Sequence, residues 1–291
     1  MGPPQEVYTL VGAIMWGGIM NESIGQGVAA RTGVGPEEPA GPSRVISGIP
    51  GDPEISRIRR LRAWGVHLYT GLGLVLAGAM AVLIVEGTDS AFRWAFGLMI
   101  AATALDATDG PLARRFRVQE VLPRFSGRRL DDIVDFHTFT SLPLFLIWRS
   151  GVLPQGAGWI LFLPLLASAY GFSREDAKTA DGYFLGFPSY WNMVAFYLYF
   201  LEPPSPLAIA ILLAFSGLTL LPWRYLKPGN RGPLEGVTLV LSIGWGLVAA
   251  GVLTGALEGT AWVVASLGLP AWYLGASWTV EARTRREGRT R

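Results

Sequence analysis

The sequence predicts an all-α polytopic membrane protein with about eight transmembrane helices and both termini in the cytoplasm. Three observations carry that prediction. Of 291 residues, 51% are hydrophobic and only 16% charged, with a mean hydropathy of +0.36. A chain so apolar suits a bilayer better than a single aqueous core. Apolar runs recur along it, divided by short loops rich in Gly, Pro and charge. The basic residues then fall on alternate loops: of 24 Lys and Arg, Arg93 and Arg149 alone sit on the side opposite the N-terminus. Cytoplasmic loops of membrane proteins hold the excess of Lys and Arg, so the orientation follows.

Residues 1–56 differ from the rest and are expected to form an N-terminal extension outside the membrane domain at 57–291. Tyr8–Met20 is apolar but only about thirteen residues long, short of the ~20 that cross a bilayer. Gln5 and Glu6, rather than basic residues, precede it, which is a poor signal peptide. Asn21–Pro53 is rich in Gly, Pro, Ser and Glu without hydrophobic period and is expected to be disordered. No function is assigned to this part.

From Ile55 a short basic helix (ISRIRRLRA) leads into the first span. The eight segments expected to cross are Trp64–Val85, Phe92–Leu105, Leu130–Trp148, Leu153–Tyr170, Tyr190–Leu201, Leu207–Leu221, Val237–Leu253 and Ala261–Trp278. Most contain several Gly or Ala, which lets helices approach closely in lipid. The fifth is short unless Gly186–Pro188 also packs at the interface. The chain has no cysteine, so disulfides, thiolate zinc sites and cysteine nucleophiles are excluded. With only His67 and His137, a histidine-rich metal site is not expected either.

Chemistry concentrates between Asp106 and Asp135. Asp106 and Asp109 close the second span; Asp131 and Asp135 open the third. Residues three and four apart share one helix face, so each pair projects to one side. Antiparallel packing then brings four carboxylates together at the cytoplasmic end. Crowded like charges raise one another's pKa unless cations intervene, and oxygen-only ligands suit Mg²⁺, Mn²⁺ or Ca²⁺. Gly110, Gly127 and six arginines lie between the pairs, which suits a phosphate-bearing ligand.

The spacing Asp106-x2-Asp109-Gly110-x2-Ala113-Arg114-x12-Gly127-x3-Asp131-x3-Asp135 resembles the signature of the CDP-alcohol phosphatidyltransferases. The gap between Arg114 and Gly127 is longer than in most of that family. It is similar to the gap in the bacterial branch that uses choline, as are the stretches at 121–136 and 176–201 and the larger number of spans. The resemblance implies a bacterial inner-membrane enzyme, its site facing the cytoplasm, that moves a phosphatidyl group from CDP-diacylglycerol to choline and releases CMP. It implies two divalent ions, Mn²⁺ or Mg²⁺, on Asp106, Asp109, Asp131 and Asp135, with Asp135 also the general base. Gly110, Ala113, Arg114 and Gly127 are implied to bind the CDP-lipid. Membrane lipid and a second copy of the chain are the other implied partners; a nucleic acid is not.

Choline donates no N–H bond from its quaternary nitrogen, so aromatic faces and a nearby carboxylate must hold it. Tyr183, Phe184, Phe187, Tyr190 and Trp191 cluster where the fifth span begins; they form either such a box or an interfacial anchoring belt. His67 and Thr70 either touch the CMP moiety or form a packed polar pair. Asp132 is expected to cap its helix or pair with Arg128 or Arg129, and the remaining arginines to be positive-inside residues. Within the family, serine, glycerol 3-phosphate or inositol phosphate are the competing acceptors. An ion transporter is the reading from another class. It is disfavoured because the motif acids gather at one face, not at mid-depth.

Overall fold

The computed structural model describes residues 56–177, 179, 182–227 and 234–289. The extension expected at 1–56 lies outside the described residues up to 55. Helices dominate, in the order α1 (Arg57–Glu86), α2 (Asp89–Arg115), α3 (Val118–Val121), α4 (Gly127–Asp135), a π-helical segment (Phe136–Ser141) and α5 (Leu142–Arg149). A 3₁₀ turn (Gly158–Leu161), α6 (Phe162–Ser173), α7 (Trp191–Leu201), α8 (Ser205–Leu220), α9 (Glu235–Thr254), α10 (Thr260–Ser266) and α11 (Gly268–Arg289) follow.

The basic run at 57–62 and the first span form one continuous helix. Ser56 caps it by accepting from the Arg59 N–H at 3.4 Å. Gly87 ends it at φ 72°, where a left-handed residue without Cβ costs little. Thr88 then caps α2 by accepting from Ala91 N–H at 3.1 Å, and α2 packs along α1. Small and apolar side chains are buried on both helices: Ala63, Ala77, Met80 and Ile84 on α1, and Ala91, Ala95, Phe96 and Met99 on α2. α2 continues ten residues past the apolar run ending at Leu105, through Pro111, and so carries Asp106 and Asp109 on regular helix.

Each of the other expected segments is wholly or largely helical. Leu130–Trp148 spans α4, the π segment and α5, and Leu153–Tyr170 covers the 3₁₀ turn and most of α6. Among the described residues, three helical stretches are long and apolar enough to cross a membrane: Arg57–Glu86, Gly236–Thr254 and Thr260–Arg286. Shorter apolar helices are Gly158–Ser173, Trp191–Leu201 and Ser205–Leu220. The outward faces carry Leu68, Val75, Val82, Leu166, Val240 and Leu247. Inside sit Thr138, Ser168, Ser216 and Ser266; Thr138 and Ser216 return their hydroxyl protons to carbonyls one turn back. An apolar exterior over small polar interior groups is what a lipid solvent favours.

The sequence reading contained no strand, yet two loops meet in a two-stranded antiparallel sheet. β1 (Tyr183–Leu185) pairs with β2 (Arg224–Leu226), setting Phe184 opposite Tyr225. α11 clamps β2: Leu226 N–H donates to Ser277 Oγ (3.1 Å), Arg224 N–H to Glu281 Oε2 (3.0 Å), and Tyr273 O–H to the Leu226 carbonyl (2.9 Å). Tyr225 is fully buried by this arrangement.

At the other end of the bundle, Asp89 accepts from the Tyr199 hydroxyl and from Arg93 Nε (2.8 Å). Arg93 also donates to the Val252 carbonyl at 3.0 Å, joining α2, α7 and α9. The Tyr199 bond first, then Arg93, hold the Asp89 carboxyl below its ordinary 3.8. A lowered native pKa stabilises the fold above the ordinary value, and that contribution is lost as pH falls through the native one. Asp89→Asn is therefore expected to lower the Tm of the detergent-solubilised protein at pH 7. The gap to wild type should close below about pH 4, as thermal unfolding across a pH series will read.

Candidate active site

The end of α2 and the whole of α4 build the site. Ser126 caps α4 by accepting from Arg129 N–H at 3.3 Å, so the cap is Ser126 and not Asp132. From there Asp131 and Asp135 fall on one face of α4, toward α2. One carboxylate oxygen each of Asp106, Asp131 and Asp135 lies within 4.8 Å of the others. Oxygens bound to one hard cation at ~2.0–2.6 Å stand at most about twice that distance apart. The donor set and its spread therefore fit a divalent ion. All three residues are half-buried, so the group opens to a ligand.

Asp109 stands apart from these three. It lies one turn along α2, is only 6% exposed, and accepts from the Thr70 hydroxyl of α1 at 2.8 Å. Tyr69 and Thr108 meet at 2.8 Å alongside, a second tie between α1 and α2. The hydroxyl of Thr70 therefore pairs with the motif residue Asp109 and not with His67.

Gly127 explains itself sterically. A Cβ there would stand 2.8 Å from His67 Cε1, closer than carbon atoms approach. The contact lets α4 approach α1 and leaves His67 Nε2 buried without a hydrogen-bond partner. The His67 ring lies 4.4 Å from Phe125 and edge-on to Trp64 at 5.9 Å. Phe125 comes from the long gap between Arg114 and Gly127, a contribution the sequence reading did not identify. Gly110 borders the Arg114 guanidinium, with Nη1 3.4 Å from where its Cβ would be; Ala113 is half-buried and Arg114 exposed.

The π segment begins directly after Asp135. An extra residue in a helical turn widens the coil, and such segments gather at functional sites. Here it turns Thr138, Phe139, Thr140 and Ser141 into the bundle, while Phe136 and His137 stay half-buried.

The five aromatics at the start of α7 separate by environment. Phe187 and Trp191 are core: Trp191 is fully buried and donates from Nε1 to Ser168 Oγ at 2.7 Å, and Phe187 packs on Phe215 at 4.6 Å. Tyr183 and Phe184 are strand residues, and Lys227 lies over the Phe184 ring at 5.9 Å. Tyr190 is half-buried, and its ring lies 6.4 Å from that of Phe139, four residues past Asp135. Tyr273 of α11, missed from sequence, meets it edge to face at 5.8 Å. Asp176 is bound by Arg174 through two bonds of 2.8 and 2.7 Å; Lys178 and Asp181 lie outside the described residues.

A helical bundle with membrane character that gathers oxygen ligands at one end, beside glycines and arginines, defines an enzyme class that handles phosphate groups in or at a lipid phase. The sequence profile of the CDP-alcohol phosphatidyltransferases matches residues 67–267. The chain belongs to this family. A protein of Pseudomonas aeruginosa is 32% identical over 206 residues, covering 70% of this chain and 85% of its own. One of Agrobacterium fabrum is 32% identical over 215 residues, covering 74% and 88%. Both bear the name phosphatidylcholine synthase.

Proposed function

We propose that this protein makes phosphatidylcholine, transferring the phosphatidyl group of CDP-diacylglycerol to choline. The observation that carries the reading is the trio Asp106, Asp131 and Asp135 within reach of one cation, in a chain whose relatives share one name over most of their length. Mn²⁺ or Mg²⁺, held by Asp106, Asp109, Asp131 and Asp135, would screen the diphosphate and stabilise the departing CMP. Asp135 takes the proton from the choline hydroxyl as its oxygen attacks the phosphorus next to diacylglycerol. The new O–P bond forms as the phosphoanhydride bond to CMP breaks, and Asp135 then returns the proton to solvent. Gly110 and Gly127 let the nucleotide and diphosphate approach the backbone, and Arg114 pairs with phosphate oxygens.

The eight apolar segments cross the bacterial inner membrane, with both termini and the site on the cytoplasmic side and residues 1–56 outside the catalytic domain. The distribution of Lys and Arg supports that orientation.

The test is direct. Purified protein is given CDP-diacylglycerol, Mn²⁺ and radiolabelled choline, serine or glycerol 3-phosphate in separate reactions. Label in lipid from choline alone, abolished by EDTA and restored by Mn²⁺, supports the reading. Label from another acceptor replaces choline while keeping the mechanism, and no lipid product from any of them refutes it. Thr70→Val, which leaves Asp109 without its 2.8 Å donor, is expected to weaken the apparent Mn²⁺ affinity about tenfold. Hydrogen bonds that orient a metal ligand have effects of that size. Mn²⁺ titration of the rate measures it, and Thr70→Ser should restore the wild-type curve.

A further inference from the structure

Choline's trimethylammonium offers no hydrogen bond, so its site must supply aromatic faces close to the reacting phosphorus. Phe187 and Trp191 are only 5% and 0% exposed, and Lys227 already lies over Phe184. Tyr190 is different. It opens α7, is half-buried, and meets Phe139, four residues past Asp135. Three rings support it: Phe139 at 6.4 Å, from the π segment just past Asp135, Phe187 at 6.2 Å and Tyr273 at 5.8 Å.

The ring is also fixed in place. Tyr273, whose ring meets that of Tyr190 edge to face at 5.8 Å, is itself bonded through its hydroxyl to the Leu226 carbonyl and stacked on Tyr225 at 6.4 Å. The backbone ahead of Tyr190 is tied down by Gly186 N–H to the Trp223 carbonyl (2.9 Å) and Phe187 N–H to the Leu218 carbonyl (3.1 Å). A preset ring loses little freedom when a cation arrives.

We propose that Tyr190 is the aromatic wall that receives the quaternary ammonium of the acceptor, with Tyr273 as its positioning residue. The assignment rests on choline being the acceptor. It makes one tyrosine responsible for acceptor affinity and not for the CDP-lipid.

The experiment uses the full chain in detergent and steady-state kinetics with each substrate varied in turn. Tyr190→Leu is expected to raise the KM for choline about tenfold or more, with the KM for CDP-diacylglycerol within about twofold of wild type. Tyr190→Phe keeps the ring and should remain within about threefold for both. Tyr273→Phe should raise the choline KM by an intermediate factor while kcat is held. If Tyr190→Leu does not fold, phenylalanines of increasing fluorination at position 190 preserve shape and weaken the ring's negative face. The choline KM should then rise stepwise along the series. An unchanged choline KM in an active Tyr190→Leu, a flat fluorination series, or parallel rises in both KM values overturns the assignment. A wild-type protein that makes lipid from serine but not choline overturns the function reading and this inference together.

Discussion

With Asp135 as the proposed general base, Asp135→Asn is expected to lower kcat by about three orders of magnitude, in the 10²–10⁴ range typical of losing such a group. The amide keeps the size of the carboxylate and its place on α4 but cannot accept the proton of the attacking hydroxyl. Asp135 shares the acidic trio with Asp106 and Asp131, so weaker cation binding is the rival explanation for a loss. The two separate by titration. Under the proposed ligand set Asp131→Asn removes one donor, and its rate should recover in part as Mn²⁺ is raised. Asp135→Asn should keep that loss of about three orders of magnitude at every Mn²⁺ concentration while the protein still binds CDP-diacylglycerol. Recovery of Asp135→Asn at high Mn²⁺ to near the wild-type rate would make Asp135 a ligand only and move the base elsewhere.

How much of this was legible before any coordinates depends on the range of the interaction. Asp131 and Asp135 share a face because of helical geometry alone, and the apolar runs became helices because a helix satisfies its backbone within a single segment in an apolar setting. The resemblance supplied the role of each motif residue. The contacts between distant segments did not show. Asp109 is the clearest case: three residues from Asp106, it belongs to the same motif, yet its carboxylate turns to Thr70 on α1. Which of two nearby acids meets a neighbouring helix is decided by packing, and no spacing encodes it. The same holds for Tyr273, more than eighty residues beyond Tyr190, and for Phe184 and Tyr225, brought opposite each other by two loops with no strand pattern. Aromatics near Trp191 looked alike in sequence and differ in structure because Ser168 and Phe215 take two of them into the core.

Gly186→Ala is expected to destabilise the protein by about 3 kcal/mol or more, since backbone strain and overpacking each cost roughly 1–3. Gly186 holds φ at +90°, which side-chain-bearing residues rarely adopt, and a Cβ there would stand 2.3 Å from the Thr219 carbonyl oxygen. That oxygen is backbone at the end of α8, so no rotamer change relieves the clash. Gly151 separates the two effects: its φ is +77° but nothing lies within 4 Å of its Cβ position. Gly151→Ala should therefore cost only about 1 kcal/mol, a few degrees of Tm, against about 10 °C for Gly186→Ala. Relief of the clash must come from moving β1 or the turn at 187–190 away from α8. Under the acceptor assignment, whatever Gly186→Ala protein remains folded should bind choline more weakly while CDP-diacylglycerol binding persists. Equal Tm losses for the two alanines would mean that the φ strain dominates and that α8 can yield. A normal choline KM in folded Gly186→Ala would uncouple the turn from Tyr190.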